Sequence, residues 1–543
     1  MPAIVSGFNK RPLWPCIVLV LLTIAIRVPL LGIPFERDEG EYSYIAWRLG
    51  HHELPYRDWI DQKPPAIFWI YWVALHFPMD PVKAVHLMAL LFAAASACAL
   101  YLLALRFMGL WPAFIAGMLF TLLSSDPPLY GTEANTEMFM LFPLIISVMA
   151  FFSAVSAADR RSEIPFAILA GLFTGIAIAF KQVAAVHWPF LVLMYPLFAG
   201  RGKPFRQMFF FGLWSLAGMA AVWGAISLYF GLHHAFNDFV YNVVTHNLEY
   251  VQSVPGPRRL AYLGETLREL SRDEWLVWIC CVGGLLLLAY TRRTKEFLFM
   301  LLWLVTSMAG VSASGYFFPH YFQQLLPVMC LLAAFRIDGI SRLFVVRIFS
   351  RAPEWLCTLS LGLIVLIPVF IVRWPYLFSY SLDQAVDEIY PGSHFAEKKV
   401  LAERLAQVTK PDDKVFIFGA DTEMLFYAQR ASATRYIFLF PLYGPYSDAK
   451  EKQMAAADEI SSNAPTAMIY LPNQLFFAPD TEQYFTQWSQ NYMKENFRMD
   501  SSLAVNKAGE VEVVTDMPNQ KPSAIDGLQI FGELDVRKPA DGH

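Results

Sequence analysis

Four carboxylates, Glu36, Asp38, Glu39 and Glu41, crowd together directly after one long apolar run, and Lys63 of "KPP" follows before the next. Close to a bilayer, a helix N-terminus and desolvation can each shift a carboxylate from its usual range. A carboxylate so placed can take a proton, and a lysine can supply a compact positive charge. Helical spacing puts Asp38, Tyr42, Ile45 and Leu49 on one face, with Glu41, Tyr44 and Arg48 on another. The simpler alternative is an amphipathic interfacial helix whose acids only face water. A second acidic stretch, "GTEANTEMFMLF", opens a later apolar run. It puts Glu137 in the first turn of a helix with Asn135 as its N-cap. Compensation of the helix dipole is the competing explanation there.

The elements that must hold these residues are mostly membrane helices. The chain has 543 residues, of which 56% are hydrophobic and only 16% charged. Soluble proteins carry about a quarter charged residues, so a soluble fold is excluded. Candidate spans are 13–33, 83–106, 110–125, 136–157, 164–181, 183–200, 208–230, 275–291, 296–314, 320–336 and 355–373. That makes about eleven, each compared with the roughly 20 residues a bilayer core requires. The net charge of -4 gives no sign of a nucleic-acid partner. All six cysteines (Cys16, Cys98, Cys280, Cys281, Cys330 and Cys357) fall in or beside apolar runs, which suits helix packing rather than disulfides or zinc.

Lys and Arg in the short connections set the orientation. Lys10 and Arg11, Arg106, Arg160 and Arg161, "RGKPFR", "TRRTK" and "RIDGISRLFVVRIFSR" fall at alternate ends of the spans. With an uncleaved first span and a cytoplasmic N-terminus, every one of these clusters is inside. Residues 34–82, the loop near 126–135, the loop 231–274, the "GYFFPH" turn and everything after Arg373 are then outside. "KPPAIFWIYWVALHF" is apolar but short, and reads as a helix lying at the interface. After Trp374, "DDKVFIFGADTEMLFYAQ" reads as strand, turn and helix, while "TAMIYLP" and "EVEVVT" read as strands. About 170 residues suffice there for one α/β domain with its own core. The expected division is 1–373, a helical membrane domain, and 374–543, an extracytoplasmic domain with a frayed "KPADGH" end.

The outer "DE" after the first span, "LPYRDW", "KPP" before an interfacial helix, "NTEM" opening a later span and "PHYFQQLLPVMCLLAA" occur in that order. Together they resemble the GT-C glycosyltransferases of the dolichyl-phosphate-mannose–protein mannosyltransferase and lipid A aminoarabinose transferase type. The resemblance covers residues 10–373. It implies an α-helical polytopic membrane protein of GT-C type with a C-terminal α/β extracytoplasmic domain, in the cell inner membrane. It implies transfer of a sugar from a polyprenyl-phosphate donor to a lipid, glycan or protein hydroxyl, with membrane lipids as further partners. By resemblance Asp38 is the catalytic carboxylate of the first outer loop, as base or orienter, with Glu39 beside it; Glu137 matches the second acidic position, and Lys63 the lysine on the donor phosphate. One departure stands out. The aminoarabinose transferase has an arginine three residues after the aspartate, where this chain has Glu41, so its phosphate site must differ.

The chemistry fits these roles. A glycosidase must protonate its leaving group. A polyprenyl phosphate leaves as a stable anion and needs positive charge instead, which Lys63 can give. Lys181 in "AFKQVAAVHW" and His320 could add to it, against snorkelling for the lysine and simple packing for the histidine. Arg258 and Arg259 of the long outer loop are further candidates for phosphate, although basic pairs are common in loops. No D-x-D or H-x-H set appears in the outer loops. The reading requires no cofactor, although Asp38 and Glu137 could bind a divalent metal. The rival class is a transporter or flippase for lipid-linked sugars, which would place ionisable residues near the bilayer midplane in paired halves. Here the acids lie at the rim. An O-antigen-ligase-like enzyme would instead carry a large periplasmic loop between late spans.

Overall fold

The computed structural model describes residues 12–199, 204–252, 254–347, 353–444, 446–471, 484–505, 511–515 and 529–539. Lys10, Arg11, the first half of "RGKPFR", the end of "RIDGISRLFVVRIFSR" and the last four residues of "KPADGH" lie outside them. The chain opens with α1 (Trp14–Arg27), α2 (Arg37–Leu49), α3 (Ala66–Leu75), α4 (Pro81–Ala104) and α5 (Leu110–Leu123). There follow α6 (Thr136–Val155), α7 (Arg160–Phe180), α8 (His187–Phe198), α9 (Pro204–Leu232), α10 (Phe236–Val240) and α11 (His246–Gln252). The helical part ends with α12 (Gly256–Tyr290), α13 (Thr294–Ser312), α14 (Leu326–Arg347) and α15 (Glu354–Trp374).

Among the described residues seven helices are long and apolar enough to cross a membrane, and an eighth results if the two halves of α12, bent by 103°, form one broken span. Every run expected to span is helical, but Trp14–Leu30, Leu110–Leu123 and Gln182–Phe198 are shorter than the usual crossing length. Small residues let neighbours approach closely. A Cβ on Gly171 of α7 would lie 1.7 Å from the Ser215 carbonyl oxygen of α9, so glycine is required there. At one end of the bundle Arg293 donates to the Phe107 carbonyl (3.1 Å) and Arg106 to Ser153 Oγ (3.1 Å). At the other end Arg27 donates to the Gly131 carbonyl (2.6 Å) and Arg373 pairs with Asp126, pinning the 126–135 loop under the site.

The C-terminal part continues with α16 (Leu382–Ile389), α17 (Phe395–Val408), β1 (Lys414–Phe418), α18 (Glu423–Ala428), β2 (Ala431–Ser432), α19 (Phe440–Tyr443) and α20 (Ala449–Asn463). It closes with β3 (Ala467–Tyr470), α21 (Tyr484–Asn496), β4 (Phe497–Val505), β5 (Val511–Thr515) and β6 (Gln529–Arg537). The strands form one mixed sheet ordered β2-β1-β3-β6-β4-β5, parallel from β2 to β3 and antiparallel beyond. Side chains alternate along β1 as strand geometry dictates. Phe416 and Phe418 join Ile460, Phe485 and Phe497 on one face. Val415 and Ile417 turn the other way, into a core that also holds Tyr42, Ile45 and Phe68. The sheet region therefore shares a core with the first loop, through α17 and α18 and onto α2. A Cβ on Gly40 would sit 2.4 Å from the Glu423 backbone nitrogen, which shows how closely α2 and α18 meet. Backbone bonds reinforce the seam: Phe35 N–H to Tyr427 Oη (2.8 Å), Ser432 N–H to Tyr44 Oη (2.8 Å) and Ile60 N–H to the Arg435 carbonyl (3.0 Å).

Candidate active site

Helix α2 starts where it does because Glu36 caps it, accepting from the backbone N–H groups of Asp38 (3.0 Å) and Glu39 (2.9 Å), while the Glu39 carboxylate reaches back to the Glu36 N–H. This is a reciprocal capping box built from glutamates. It fixes Asp38 in the first turn. Tyr42, one turn later, donates to Asp38 Oδ2 (3.2 Å), as their shared face predicts. Lys63 arrives from the far end of a tight turn in which Tyr56 takes a left-handed backbone (φ 73°). The Lys63 N–H donates to Asp61 Oδ1 (2.7 Å), Tyr56 Oη donates to the Lys63 carbonyl (2.7 Å), and Gln182 and Asn247 both donate to the Gln62 carbonyl (2.8 Å each). So clamped, Lys63 Nζ donates to Tyr42 Oη (2.7 Å) and to Asp38 Oδ2 (3.1 Å). Behind it Pro65 begins α3, which is too short to span and exposes Trp72 and Val73, in keeping with an interfacial helix.

These groups set each other's charge. Burial alone would raise Asp38, but Lys63 and then His320 outweigh it and hold the carboxyl at about 2. Burial would lower Lys63, yet Asp38, Asp61 and Glu41 hold the ammonium above its ordinary value. Glu41 is raised well above the carboxylate range, by burial first and by Asp61 second. Asp61 is pushed up to about 6, chiefly by burial.

A second pair stands where α6 begins and α7 ends. Glu137 accepts from Thr136 Oγ1 (2.7 Å), pairs with Lys181 and lies 3.9 Å from His320 Nε2. Asn135 holds the N-cap position but its side chain does not cap; its amide donates to Glu133 Oε2 (2.6 Å). Lys181 does not snorkel. It is buried, with its ammonium 3.8 Å from the Tyr321 ring centre.

Two cavities meet at Lys63. The larger, of about 250 Å³, is lined by Asp38, Glu41, Asp61, Arg37 and His320 among others, and is roofed by Ala420, Phe438 and Phe440 of the C-terminal part. The smaller, about 100 Å³, holds Glu137 and Lys181 and shares Gln62, Lys63, Tyr250 and Tyr321 with the first. Asp38, Lys63, Glu137, Lys181 and His320 are thus brought together. Three sequence candidates are not. Glu39 turns into the core, where it accepts from the Ala134 N–H (2.7 Å) and lies 2.9 Å from His86 Nε2, because the capping box aims it away from the cavity. Arg259 donates to the Val254 carbonyl (2.9 Å) and to Val251, closing its own loop, and Arg258 is exposed and lines neither cavity. Sequence reasoning missed Asp61 and the part of Tyr42 that bridges the pair. The only signal for Asp61 was its place two residues before Lys63. Among the described residues no group of three or more His, Cys, Asp or Glu side chains could hold a metal ion. Asp38 and Glu137 are each paired with a lysine.

No curated protein sequence matches the chain. Residues 62–229 match the family model described as dolichyl-phosphate-mannose-protein mannosyltransferase. Solved structures are similar along almost the whole chain. ArnT from Cupriavidus metallidurans bound to undecaprenyl phosphate shares 14% identity at a TM-score of 0.60, covering 94% of this chain and 99% of that one. The Archaeoglobus fulgidus oligosaccharyltransferase tethered with an acceptor peptide shares 11% at 0.58, covering 98% and 76%. The archaeal oligosaccharyltransferase AglB from the same organism, in complex with an inhibitory peptide and a dolichol-phosphate, shares 11% at 0.54, covering 97% and 76%. The family match lies over the "KPP" segment, Glu137 and Lys181, though not over Asp38 or His320, and this polytopic membrane protein shares its fold with these solved structures.

Proposed function

We propose that the protein transfers a sugar from a polyprenyl-phosphate donor to a lipid, glycan or protein hydroxyl at the extracytoplasmic face. The observation that carries this reading is Lys63, fixed by its own turn at the wall between two cavities and bonded to the Asp38 carboxylate. A carboxylate held at about 2 is a weak base. The ion pair is therefore the resting state. A donor phosphate entering beside Lys63 competes for its ammonium, and Asp38 loses the charge that depresses it. Its affinity for protons rises just when a base is required. The acceptor hydroxyl oxygen then attacks the anomeric carbon and its proton passes to Asp38. The bond from that carbon to the phosphate oxygen breaks, and the electron pair leaves with the polyprenyl phosphate. Lys63 meets more negative charge as the bond stretches, which is the kind of interaction that lowers a barrier. Lys181 and Glu137 sit behind it as a neutral pair that shapes the second cavity, with His320 between them and Asp38.

The same reading assigns the rest of the chain. Residues 1–373 form the transferase domain and 374–543 an extracytoplasmic domain that roofs the site. The N-terminus is cytoplasmic, in a cell inner membrane. The experiment is transfer of a labelled sugar from polyprenyl phosphate by purified protein in liposomes, beside cysteine labelling at Ser393 and Arg292. Ser393 should react from outside and Arg292 only from inside. Both reacting from one side, or movement of lipid between leaflets without transfer, would sink the assignment.

A further inference from the structure

Arg37 lines the larger cavity next to Asp38, and the transferase reading gives it no task. Its side chain is 41% exposed, and among the described residues its guanidinium donates no hydrogen bond, the buried Nε included. Other arginines of the outer part spend their donors, Arg48 on Glu53 and Arg430 on the carbonyls of Ala406, Ala428 and Thr409. The one ion pair of Arg37 among the described residues puts its Nε 3.4 Å from Asp421 Oδ1. That same oxygen already accepts from Lys398 Nζ at 2.7 Å. Glu36 and Glu423 also face Arg37, but burial holds both well above the carboxylate range, so they do not cancel its charge. What is left is a positive fork with unspent donors, one residue from Asp38. A guanidinium so placed matches the paired oxygens of a phosphate.

Lys63 stands where the two cavities meet and is taken by the donor phosphate, whereas Arg37 lines the larger cavity alone. Arg37 leans on the C-terminal part, 5.4 Å from the Phe395 ring centre and paired with Asp421, which follows Ala420 of the roof. The phosphate it fits is therefore carried by the other reactant. The neighbouring chain gives the height of that reactant. Between α15 and α16 the rings of Trp374, Phe378 and Tyr380 are exposed, as aromatic residues are at lipid headgroups. Helix α16 then ends at Tyr390, which lines the same cavity. A cavity of about 250 Å³ takes a headgroup but not acyl chains, which stay in the bilayer. We propose that the acceptor is an anionic membrane lipid, whose phosphate binds Arg37 and whose headgroup hydroxyl reaches Asp38. This rests on the transferase reading and adds to it the chemical class of the acceptor.

The test uses full-length protein in detergent and native mass spectrometry, with phosphatidylglycerol, diacylglycerol and polyprenyl phosphate as probes. Phosphatidylglycerol carries a phosphate and headgroup hydroxyls; diacylglycerol has a hydroxyl and no phosphate. The wild type should prefer the first by about tenfold or more, the usual worth of hydrogen bonds to a charged group. Arg37→Gln should lose that preference while binding polyprenyl phosphate and diacylglycerol as the wild type does. Arg37→Lys should keep part of it, since the charge survives and the fork does not. A wild type that binds phosphatidylglycerol and diacylglycerol equally would overturn the proposal without reference to any variant. So would a fall in melting temperature of Arg37→Gln that weakens all three probes together, the mark of a purely structural arginine. An equal loss of polyprenyl phosphate and phosphatidylglycerol would move Arg37 to the donor and overturn it too. Oligoglutamate or oligogalacturonate bound through Arg37 more tightly than phosphatidylglycerol would replace the lipid by an acidic peptide or glycan. Wild-type protein that binds no polyprenyl phosphate at all would strike the transferase reading, and this proposal with it. Failure of the lipid preference alone leaves polyprenyl phosphate binding intact, so the two failures can be told apart.

Discussion

Two carboxylate–lysine pairs line the adjoining cavities, built from the same kinds of group in different surroundings. In the pair Asp38–Lys63 the side chains are 36% and 17% exposed, and Tyr42 bridges them. In the pair Glu137–Lys181 they are 2% and 11% exposed, and the lysine packs over an aromatic ring. A partly open pair can exchange partners when a ligand arrives, since water and ligand both reach it. A sealed pair cannot, because separating it strands a charge out of contact with solvent. The difference teaches that position in the cavity, not residue type, sets how readily each lysine can change partner.

The largest effect should come from breaking the sealed pair. Glu137→Gln removes the counter-charge of a buried lysine, and changes of that kind cost about 3–5 kcal/mol. Thermal unfolding in detergent should show a large fall in melting temperature, with activity lost because the protein no longer folds properly. Glu137→Gln combined with Lys181→Met should recover most of the stability, since neither charge is then stranded. A single variant as stable as wild type would mean that the pair is not sealed.

Opening the other pair should do the reverse, leaving the fold and removing the reaction. Asp38→Asn keeps shape and hydrogen bonding but cannot take a proton, and transfer should fall by about 10² or more. Its melting temperature should stay close to that of the wild type. Full activity in liposomes would remove Asp38 from the mechanism. Lys63→Ala should lower turnover more than donor affinity, because the charge it meets grows toward the transition state. Lys63→Arg should restore part of the loss by keeping the charge. If Lys63→Ala weakens donor binding and leaves turnover unchanged, the lysine holds substrate without assisting the chemistry.

The first members of both pairs could be read from the sequence. Asp38, Lys63 and Glu137 are carried by short motifs in a fixed order, and helical spacing already joined Asp38 to Tyr42. Partners far apart in the chain were harder to foresee. Glu39 looked equivalent to Asp38, yet the capping box turns one carboxylate inward and the other outward, and Glu36 is an unusual residue for that cap. The strands β1, β3 and β5 were legible from their apolar runs. β4 and β6 were not, because "FRMDSSLAV" and "QIFGELDVR" mix polar residues and a glycine into runs that only their pairing makes regular. The shared core of first loop and sheet was equally hidden. A separate domain and a docked one show the same alternation along β1, and only long-range contacts such as Gly40 against Glu423 distinguish them.

The smallest effect follows from the acid that keeps Lys63 in place. Asp61 is pushed up to about 6 from an ordinary 3.8, with burial as the main cause. Asp38, Glu41 and Lys63 face it, and Lys63 works against the rise without cancelling it. A carboxyl raised on folding binds more protons in the native than in the unfolded chain between those two values. The favourable contribution of its protonated form is complete at the acid end and is lost as the pH climbs through the folded value. An asparagine there mimics the protonated carboxyl at every pH. Melting temperatures of the wild type and Asp61→Asn should therefore agree near pH 4 and separate as the pH rises to 7. The variant should become the more stable of the two by a few degrees. Comparing the proteins at each pH cancels the titration of the buried acids that do not face Asp61. A constant gap between wild type and Asp61→Asn, or one that narrows with rising pH, would mean that Asp61 is ionised throughout and that Lys63 is paired with it as firmly as with Asp38.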